Sequence, residues 1–153
     1  MRGRLLVTSG AAAALLLGCG PDGPPAVPGP QVSVGTVGPI VVEVADDAAG
    51  RASGLMGRPA VPPGTGMLFV YDDPVTNSFW MGNVEVPLSI AWVHDDRVVG
   101  TAEMQPCPAA DVTCPRYSPG TPYVMAVETT GGTFTDAGVR VGDTVTVSGL
   151  DQS

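Results

Sequence analysis

The run FWMGN at positions 79–83 combines residue types that could form a binding site. Two aromatic side chains and a methionine are too apolar for an ordinary exposed loop, and an amide follows at Asn83. Apolar walls with a few polar groups are typical of small-molecule pockets. The same run also suits a core strand that enters a turn, where Asn83 bonds nearby backbone. Trp80 and Asn83 are therefore candidate ligand-binding residues.

A second candidate lies around the GLMGR run at positions 54–58, which is flanked by Arg51 and Arg58. Two guanidinium groups on a short helix could bind a carboxylate or a sugar acid, because a planar guanidinium can donate two parallel hydrogen bonds to a carboxylate. The alternative is that both arginines form ordinary ion pairs with the abundant acidic residues. Met56, which lies between them, completes the set of candidate ligand contacts.

His94 is the only histidine, and it precedes Asp95 and Asp96. The adjacent histidine and aspartate are weak catalytic candidates for a hydrolase that acts on envelope polymers. However, no serine or cysteine stands in a recognisable nucleophile elbow. Paired aspartates at strand ends favour turns, so a solvated hairpin end is the preferred interpretation over glycosidase carboxylates.

Metal binding is not indicated by the sequence. The internal methionines could bind copper through their thioethers, but they are scattered through separate apolar runs, as core gap-fillers are. No spaced series of aspartates resembles a calcium loop. We expect no metal and no cofactor. The five methionines are Met56, Met67, Met81, Met104 and Met125.

The amino terminus predicts export and lipidation. Arg2 and Arg4 precede an uncharged apolar run at 5–17, which is too short to span a bilayer and reads as a signal peptide over residues 1–18. Cys19 follows a small residue and aliphatics, as in the lipobox of bacterial lipoproteins. Lipidated Cys19 and a tether rich in proline and glycine would occupy residues 19–38. We therefore expect an exported protein tethered to a bacterial membrane on its extracytoplasmic side.

Two further cysteines, Cys107 and Cys114, are separated by six residues. In an oxidising compartment this isolated pair is most simply a disulfide that closes a loop. A metal pair or a redox pair is the alternative, but zinc would need two more ligands and the spacing is not that of Cys-x-x-Cys.

The composition describes one acidic domain. Fifteen acidic residues against seven basic ones give a formal net charge of −8. Such a chain is repelled by phosphate backbones, so we expect no nucleic-acid partner. Apolar residues make up 44% of the chain, which is enough for a packed core.

The fold is predicted to be mainly β, an α+β chain with one or two short helices. Asp46 or Asp47 can cap a helix that runs through 52–56 to Gly57, and a second helix of about one turn is expected at 133–137. Asp95-Asp96 is predicted to be a tight hairpin turn. Seven or more short strands favour a compact antiparallel sandwich or barrel. The predicted strands are 40–45, 67–71, 78–81, 88–94, 97–104, 122–128 and 144–148.

Several of these runs resemble, in their order and spacing, the domain-of-unknown-function 192 family. The resemblance covers about residues 39–148 and implies a small, mainly β domain, often exported, with no established activity. The matching runs are GLMGR, GMLFV, FWM with Asn83, PLSI, Cys114-Pro115-x-Tyr117, YVMAVE and VGD.

The chain departs from the family pattern at three positions. Gly82, Val84 and Ser89 stand where family members usually carry lysine, threonine and aspartate. Roles that rest on those side chains therefore do not carry over to this chain.

The predicted organisation is a signal peptide at 1–18, the lipidated tether at 19–38, a β domain at 39–149 and a tail at 150–153. The preferred function is a non-enzymatic ligand-binding or accessory protein of the cell envelope, with a small molecule or a glycan as its ligand. The alternatives are a structural module that binds an envelope protein, and the hydrolase, which would place Asp95, His94 or Arg51 near the reacting bond.

Overall fold

The computed structural model describes residues 29–107 and 113–150. The predicted signal peptide, Cys19 and most of the tether lie outside this part of the chain. The described residues form nine strands and two short helices. These are β1 (Gln31–Val34), β2 (Val37–Ala45), α1 (Ala48–Ser53), β3 (Thr65–Val75), β4 (Phe79–Trp80), β5 (Leu88–His94), β6 (Arg97–Met104), β7 (Arg116–Tyr117), β8 (Tyr123–Thr130), α2 (Thr133–Asp136) and β9 (Val145–Ser148).

Seven strands form one sheet in the order β6-β5-β8-β3-β2-β1-β9, and β4 pairs with β7 in a small second sheet. The large sheet curls into a half-barrel. Its two outer strands approach each other at one end, where Arg97 bridges Thr144 and the Val98 amide donates to the Asp143 carbonyl at 2.9 Å. These bonds satisfy backbone groups that an open sheet edge would leave unpaired.

Side chains on the two faces of the large sheet pack into two separate apolar clusters. Alternation along a strand sends neighbouring residues to opposite faces. In β3, Phe69 therefore joins a cluster with Trp92 and Tyr123, whereas Leu68 joins a cluster with Phe134 of α2. All five side chains are at most 2% exposed. The β-rich fold class predicted from the sequence is confirmed.

Two features of the sheet differ from the sequence predictions. The first is β1, which lies inside the stretch assigned to the tether. Val32 and Val34 of this strand are fully buried. The alternation of apolar and polar residues covers only four positions after a proline-rich run, which is too short to predict a strand. The second is the parallel pairing of β2 with β3, where an antiparallel sheet was expected. The chain between these strands crosses over through α1, and such a crossover returns the chain in parallel.

Local capping sets the limits of α1. The Asp47 carboxylate accepts a hydrogen bond from the Gly50 amide at 2.6 Å, which satisfies one of the free donors of the first turn. The helix ends at Gly54, whose φ of 49° lies in the left-handed region. The cap is the predicted one, but the helix ends three residues before the predicted Gly57. No helix in the described ranges is long and apolar enough to cross a membrane.

A partly buried polar network anchors α2 to the sheet. Glu103 on β6 accepts hydrogen bonds from the Ser89 hydroxyl at 2.6 Å, the Thr135 hydroxyl at 2.7 Å and the Gly132 amide at 2.8 Å. Ser89 is fully buried, so its hydroxyl depends on this carboxylate. The network holds the first turn of α2 in place and lets Phe134 enter the second apolar cluster.

Candidate functional site

A cavity of about 470 Å³ opens on the face of the sheet that carries Phe69. We call it the main cavity. One wall is α1 with the loop that follows it (residues 48–56), and the opposite wall is the segment 77–81, which includes β4. Phe69 and Tyr71 of β3 and Glu128 of β8 also line it. Its size is that of a small-molecule site.

Arg51 is held in the first wall by the protein's own backbone. Its Nη1 donates to the Asp46 carbonyl at 2.5 Å and to the Val70 carbonyl at 2.8 Å. Its guanidinium lies 4.9 Å from the centroid of the Tyr71 ring, a cation–π contact. Nη2 and Nε make no hydrogen bond to the described residues, and no described carboxylate lies within ion-pair distance. The guanidinium therefore stays available to an incoming anion.

Edge-to-face aromatic contacts anchor the second wall to the sheet. The Phe79 ring lies 5.0 Å from the Phe69 ring at 89° and 6.1 Å from the Trp92 ring at 68°. Tyr71 packs similarly on Tyr123, at 5.6 Å and 85°. Such contacts add to the stabilisation gained from burial alone. The aromatic surface at the cavity is therefore rigidly supported.

The Trp80 ring occupies space that a side chain at position 82 would need. A Cβ on Gly82 would clash with Cζ2 of Trp80. A side chain at position 82 would displace the ring, so the glycine and the ring position are linked. The Trp80 Nε1 is buried and has no partner among the described residues.

The disulfide supports the same wall from outside. Cys107 and Cys114 are bonded, with their Cα atoms 5.9 Å apart, as predicted from their spacing. The Cys107 amide donates to the Val84 carbonyl at 2.9 Å, and β7 follows Cys114 and pairs with β4. The Arg116 guanidinium of β7 lies 5.9 Å from the Trp80 ring.

We expect the double variant Cys107→Ser/Cys114→Ser to lose about 2–3 kcal/mol of unfolding free energy, because the unfolded chain regains the freedom of the closed loop. Urea denaturation of the oxidised protein and the variant measures the loss. Amide exchange should increase most in β4 and β7. Faster exchange across the whole large sheet, with none specific to these two strands, would contradict this support role.

Glu128 is the buried polar group of the main cavity. It is 6% exposed, and its cross-strand neighbours are Met67 of β3 and Ile90 of β5. Its side chain forms no hydrogen bond or ion pair with any described residue. Burial raises the pKa of Glu128 to about 8, because an apolar environment disfavours the charged form. An unpartnered carboxyl that lines a cavity is costly for the fold, and a ligand group can satisfy it.

The predicted ligand contacts divide between the main cavity and other places. Arg51, Met56 and Trp80 line the main cavity. Arg58 lines a second cavity of about 190 Å³ and forms a bidentate ion pair with Glu43, at 2.5 Å and 2.7 Å. This pair lowers the pKa of Glu43. Asn83 is exposed at a φ of 61°, and its carbonyl accepts from the Gly57 amide at 2.9 Å.

The weak catalytic candidates do not line either of the two cavities described above. Asp95 and Asp96 occupy the left-handed region, with φ of 48° and 54°, and form the predicted turn between β5 and β6. The Nε2 of His94 lies 3.9 Å from Oδ2 of Asp95, whose side chain is 92% exposed. Their observed role is to close a hairpin.

Sequence reasoning missed Glu128, although a signal for it was present. In β8 the residues at even positions share one face. Glu128 follows five apolar residues of β8 and continues the face of Ala126, which indicates a carboxyl directed at the core or at a cavity. Only the structure shows that this face is covered incompletely there.

Fold and site together define a small β domain whose curled sheet carries, on one face, a cavity with a buried carboxyl. The chain belongs to the DUF192 family, described as "Uncharacterized ACR, COG1430", whose model matches residues 31–147. The resemblance drawn from the motifs is thereby confirmed. No curated protein matches the chain at a significant level.

Two solved structures share the fold. One is a protein of unknown function from Novosphingobium aromaticivorans DSM 12444, with 30% identity and a TM-score of 0.64 over 76% of this chain and 83% of that one. The other is described as a putative transcription regulator from Sinorhizobium meliloti 1021, with 26% identity and a TM-score of 0.68 over 79% of this chain and 95% of that one.

Proposed function

We propose that this domain binds a small organic ligand, a single molecule or a glycan unit, in the main cavity. It would act as a non-enzymatic binding or accessory protein, tethered through Cys19 on the extracytoplasmic side of a bacterial membrane. One observation carries the proposal. An unpartnered buried carboxyl, Glu128, and an available guanidinium, Arg51, line the same cavity, which has aromatic walls. Two fixed polar groups on an apolar surface orient a ligand.

The other candidate functions have less support. A protein-partner module would present a broad apolar surface, yet the large apolar side chains exposed in the described ranges are only Val41, Val141 and Leu150. A hydrolase using His94 or Asp95 would place these residues beside a substrate cavity, but neither residue lines the main cavity or the second cavity. We do not extend the transcription-regulator description to this chain, since its net charge of −8 opposes DNA binding.

Ligand screening by thermal unfolding tests the proposal. The oxidised protein is heated with envelope glycans, amino-sugar acids and amino acids, each in excess. A ligand at 100 times its dissociation constant adds about 2.7 kcal/mol, which raises the unfolding midpoint by roughly 10 °C for a domain of this size. Trp80→Ala and Arg51→Ala should lower affinity for any hit in calorimetric titration.

Arg58→Ala is the matched control, since it also removes one guanidinium but lies outside the main cavity. Equal losses in Arg51→Ala and Arg58→Ala would indicate a charge effect that does not depend on the cavity. A flat response to every compound would contradict the ligand-binding proposal and favour the protein-partner alternative.

A further inference from the structure

Few charged side chains line the main cavity. Its ionisable side chains are Arg51 on α1, Tyr71 on β3 and Glu128 on β8, while segment 77–81 contributes none. Arg51 and Glu128 do not form an ion pair, since none within 4.0 Å occurs between them in the described structure. The cavity therefore presents a cationic point and an acidic point that do not neutralise each other.

Within residues 29–107 and 113–150, neither of these two points has a charged counter-group. Glu128 lies between Met67 and Ile90 on the neighbouring strands, and its side chain forms no hydrogen bond or ion pair there. Arg51 is fixed through Nη1 by two carbonyls and by Tyr71, which leaves the other nitrogens of its fork uncommitted. A carboxylate suits such a fork, and an ammonium group is the charged donor that best satisfies a buried carboxylate.

We propose, on the basis of the ligand-binding function above, that the main cavity takes a small organic acid that also carries a primary amine. The ammonium group binds Glu128 and the acid group binds Arg51. The aromatic surface of Phe69, Tyr71, Phe79 and Trp80 packs on the ligand's carbon skeleton. Amino-sugar acids and free amino acids share this chemistry.

Binding of this kind moves a proton. Burial raises the pKa of Glu128 to about 8, so at pH 7 the empty site holds mainly the neutral acid. An ammonium group favours the ionised carboxylate and lowers its pKa, and the proton of Glu128 then leaves to the buffer. The ligand amine is already protonated at pH 7, so close to one proton is released for each molecule bound.

Calorimetric titration in two buffers of different ionisation enthalpy measures this release. The probes are muramic acid and phenylalanine, each with its N-acetyl derivative, together with glucuronic acid and glucosamine. We expect muramic acid or phenylalanine to bind at pH 7 with close to one proton released. The N-acetyl forms and glucosamine each lack one charged group and should bind on the order of 10- to 100-fold more weakly.

Variants assign the two ends of the ligand. Glu128→Gln keeps the shape of the side chain, and it should abolish proton release and weaken the amine-bearing probe by a similar factor. Arg51→Ala should weaken binding and leave proton release intact. Glu43→Gln and Arg58→Ala, which alter the ion pair outside the main cavity, should change neither quantity. Unfolding midpoints confirm that each variant is folded.

The outcomes separate this inference from the broader function. If glucuronic acid binds as well as muramic acid, without proton release and in an Arg51-dependent manner, the ligand is a simple acid. The amine inference is then wrong, while the ligand-binding function stands. Failure of every amine-bearing probe to bind would also overturn the inference, and the wider thermal screen would decide the function independently.

Discussion

Glu128→Gln should make the protein more stable than the unchanged chain at pH 9 and leave its stability at pH 5 nearly unaltered. The pKa of Glu128 is raised from 4.5 to about 8 by burial. Between these values the unfolded chain releases a proton that the folded chain retains, so stability falls as the pH rises through this window. Above pH 8 the folded state carries the full cost of a buried, unpaired carboxylate, which is of the order of 4 kcal/mol.

Urea unfolding at pH 5, 7 and 9 checks this prediction. Other groups also titrate, so the relevant quantity is the difference in unfolding free energy between Glu128→Gln and the unchanged protein. This difference should grow with pH. Glu43→Gln is the control, because Glu43 is exposed and paired with Arg58, so its difference should stay small between pH 5 and 9. Parallel pH profiles for the unchanged protein and Glu128→Gln would mean that water in the cavity solvates the carboxylate.

This stability experiment is independent of any ligand. It reports the protonation state of Glu128 in the empty cavity, whereas proton release reports the change when an amine binds. A growing stability difference together with binding but no proton release would place the amine away from Glu128.

Glu103→Ala should cost about 2–4 kcal/mol of unfolding free energy. Glu103 accepts three hydrogen bonds, from Ser89, Thr135 and the Gly132 amide. Its removal leaves a fully buried hydroxyl without a partner and frees the first turn of α2. Urea denaturation measures the loss, and amide exchange should rise at Gly132. The same change at Glu43 breaks only an exposed ion pair and should cost less than about 1 kcal/mol.

A double variant distinguishes the lost bonds from the lost charge. Much of the unfolding free energy lost in Glu103→Ala comes from the Ser89 hydroxyl, which is left buried without a hydrogen-bond partner. Adding Ser89→Ala should therefore cost far less in the Glu103→Ala background than in the unchanged protein. Strictly additive losses would show that the two side chains are not coupled and would refute the network as the source of the effect.

The same network bears on position 89, where the resemblance implies an aspartate. In this chain the residue is Ser89, and its hydroxyl donates to Glu103. An aspartate at position 89 would place a second carboxylate beside that of Glu103. The two negative charges would repel each other unless a proton or a cation lay between them. The serine therefore makes the network complete within this chain.

Local chemistry was readable from the sequence wherever the deciding contacts are close along the chain. Asp47 caps α1 through an amide three residues away. Asp95 and Asp96 form a turn within two residues, and β5 and β6 begin and end where their apolar runs do. The disulfide joins cysteines seven positions apart. In each case a short segment contains both partners, so residue type and spacing were sufficient.

The sequence by itself determined the β-rich class, the hairpin turn at Asp95-Asp96, the Asp47 cap, the disulfide and the family. Only the tertiary structure decided which side chains share a cavity. Arg51 and Glu128 are far apart in sequence and line one cavity because β8 lies beside β3 and α1 crosses over the same face. Arg58, seven residues from Arg51, instead pairs with Glu43 on β2. Long-range strand order sets these distances, and it depends on the burial of the whole sheet rather than on any local pattern.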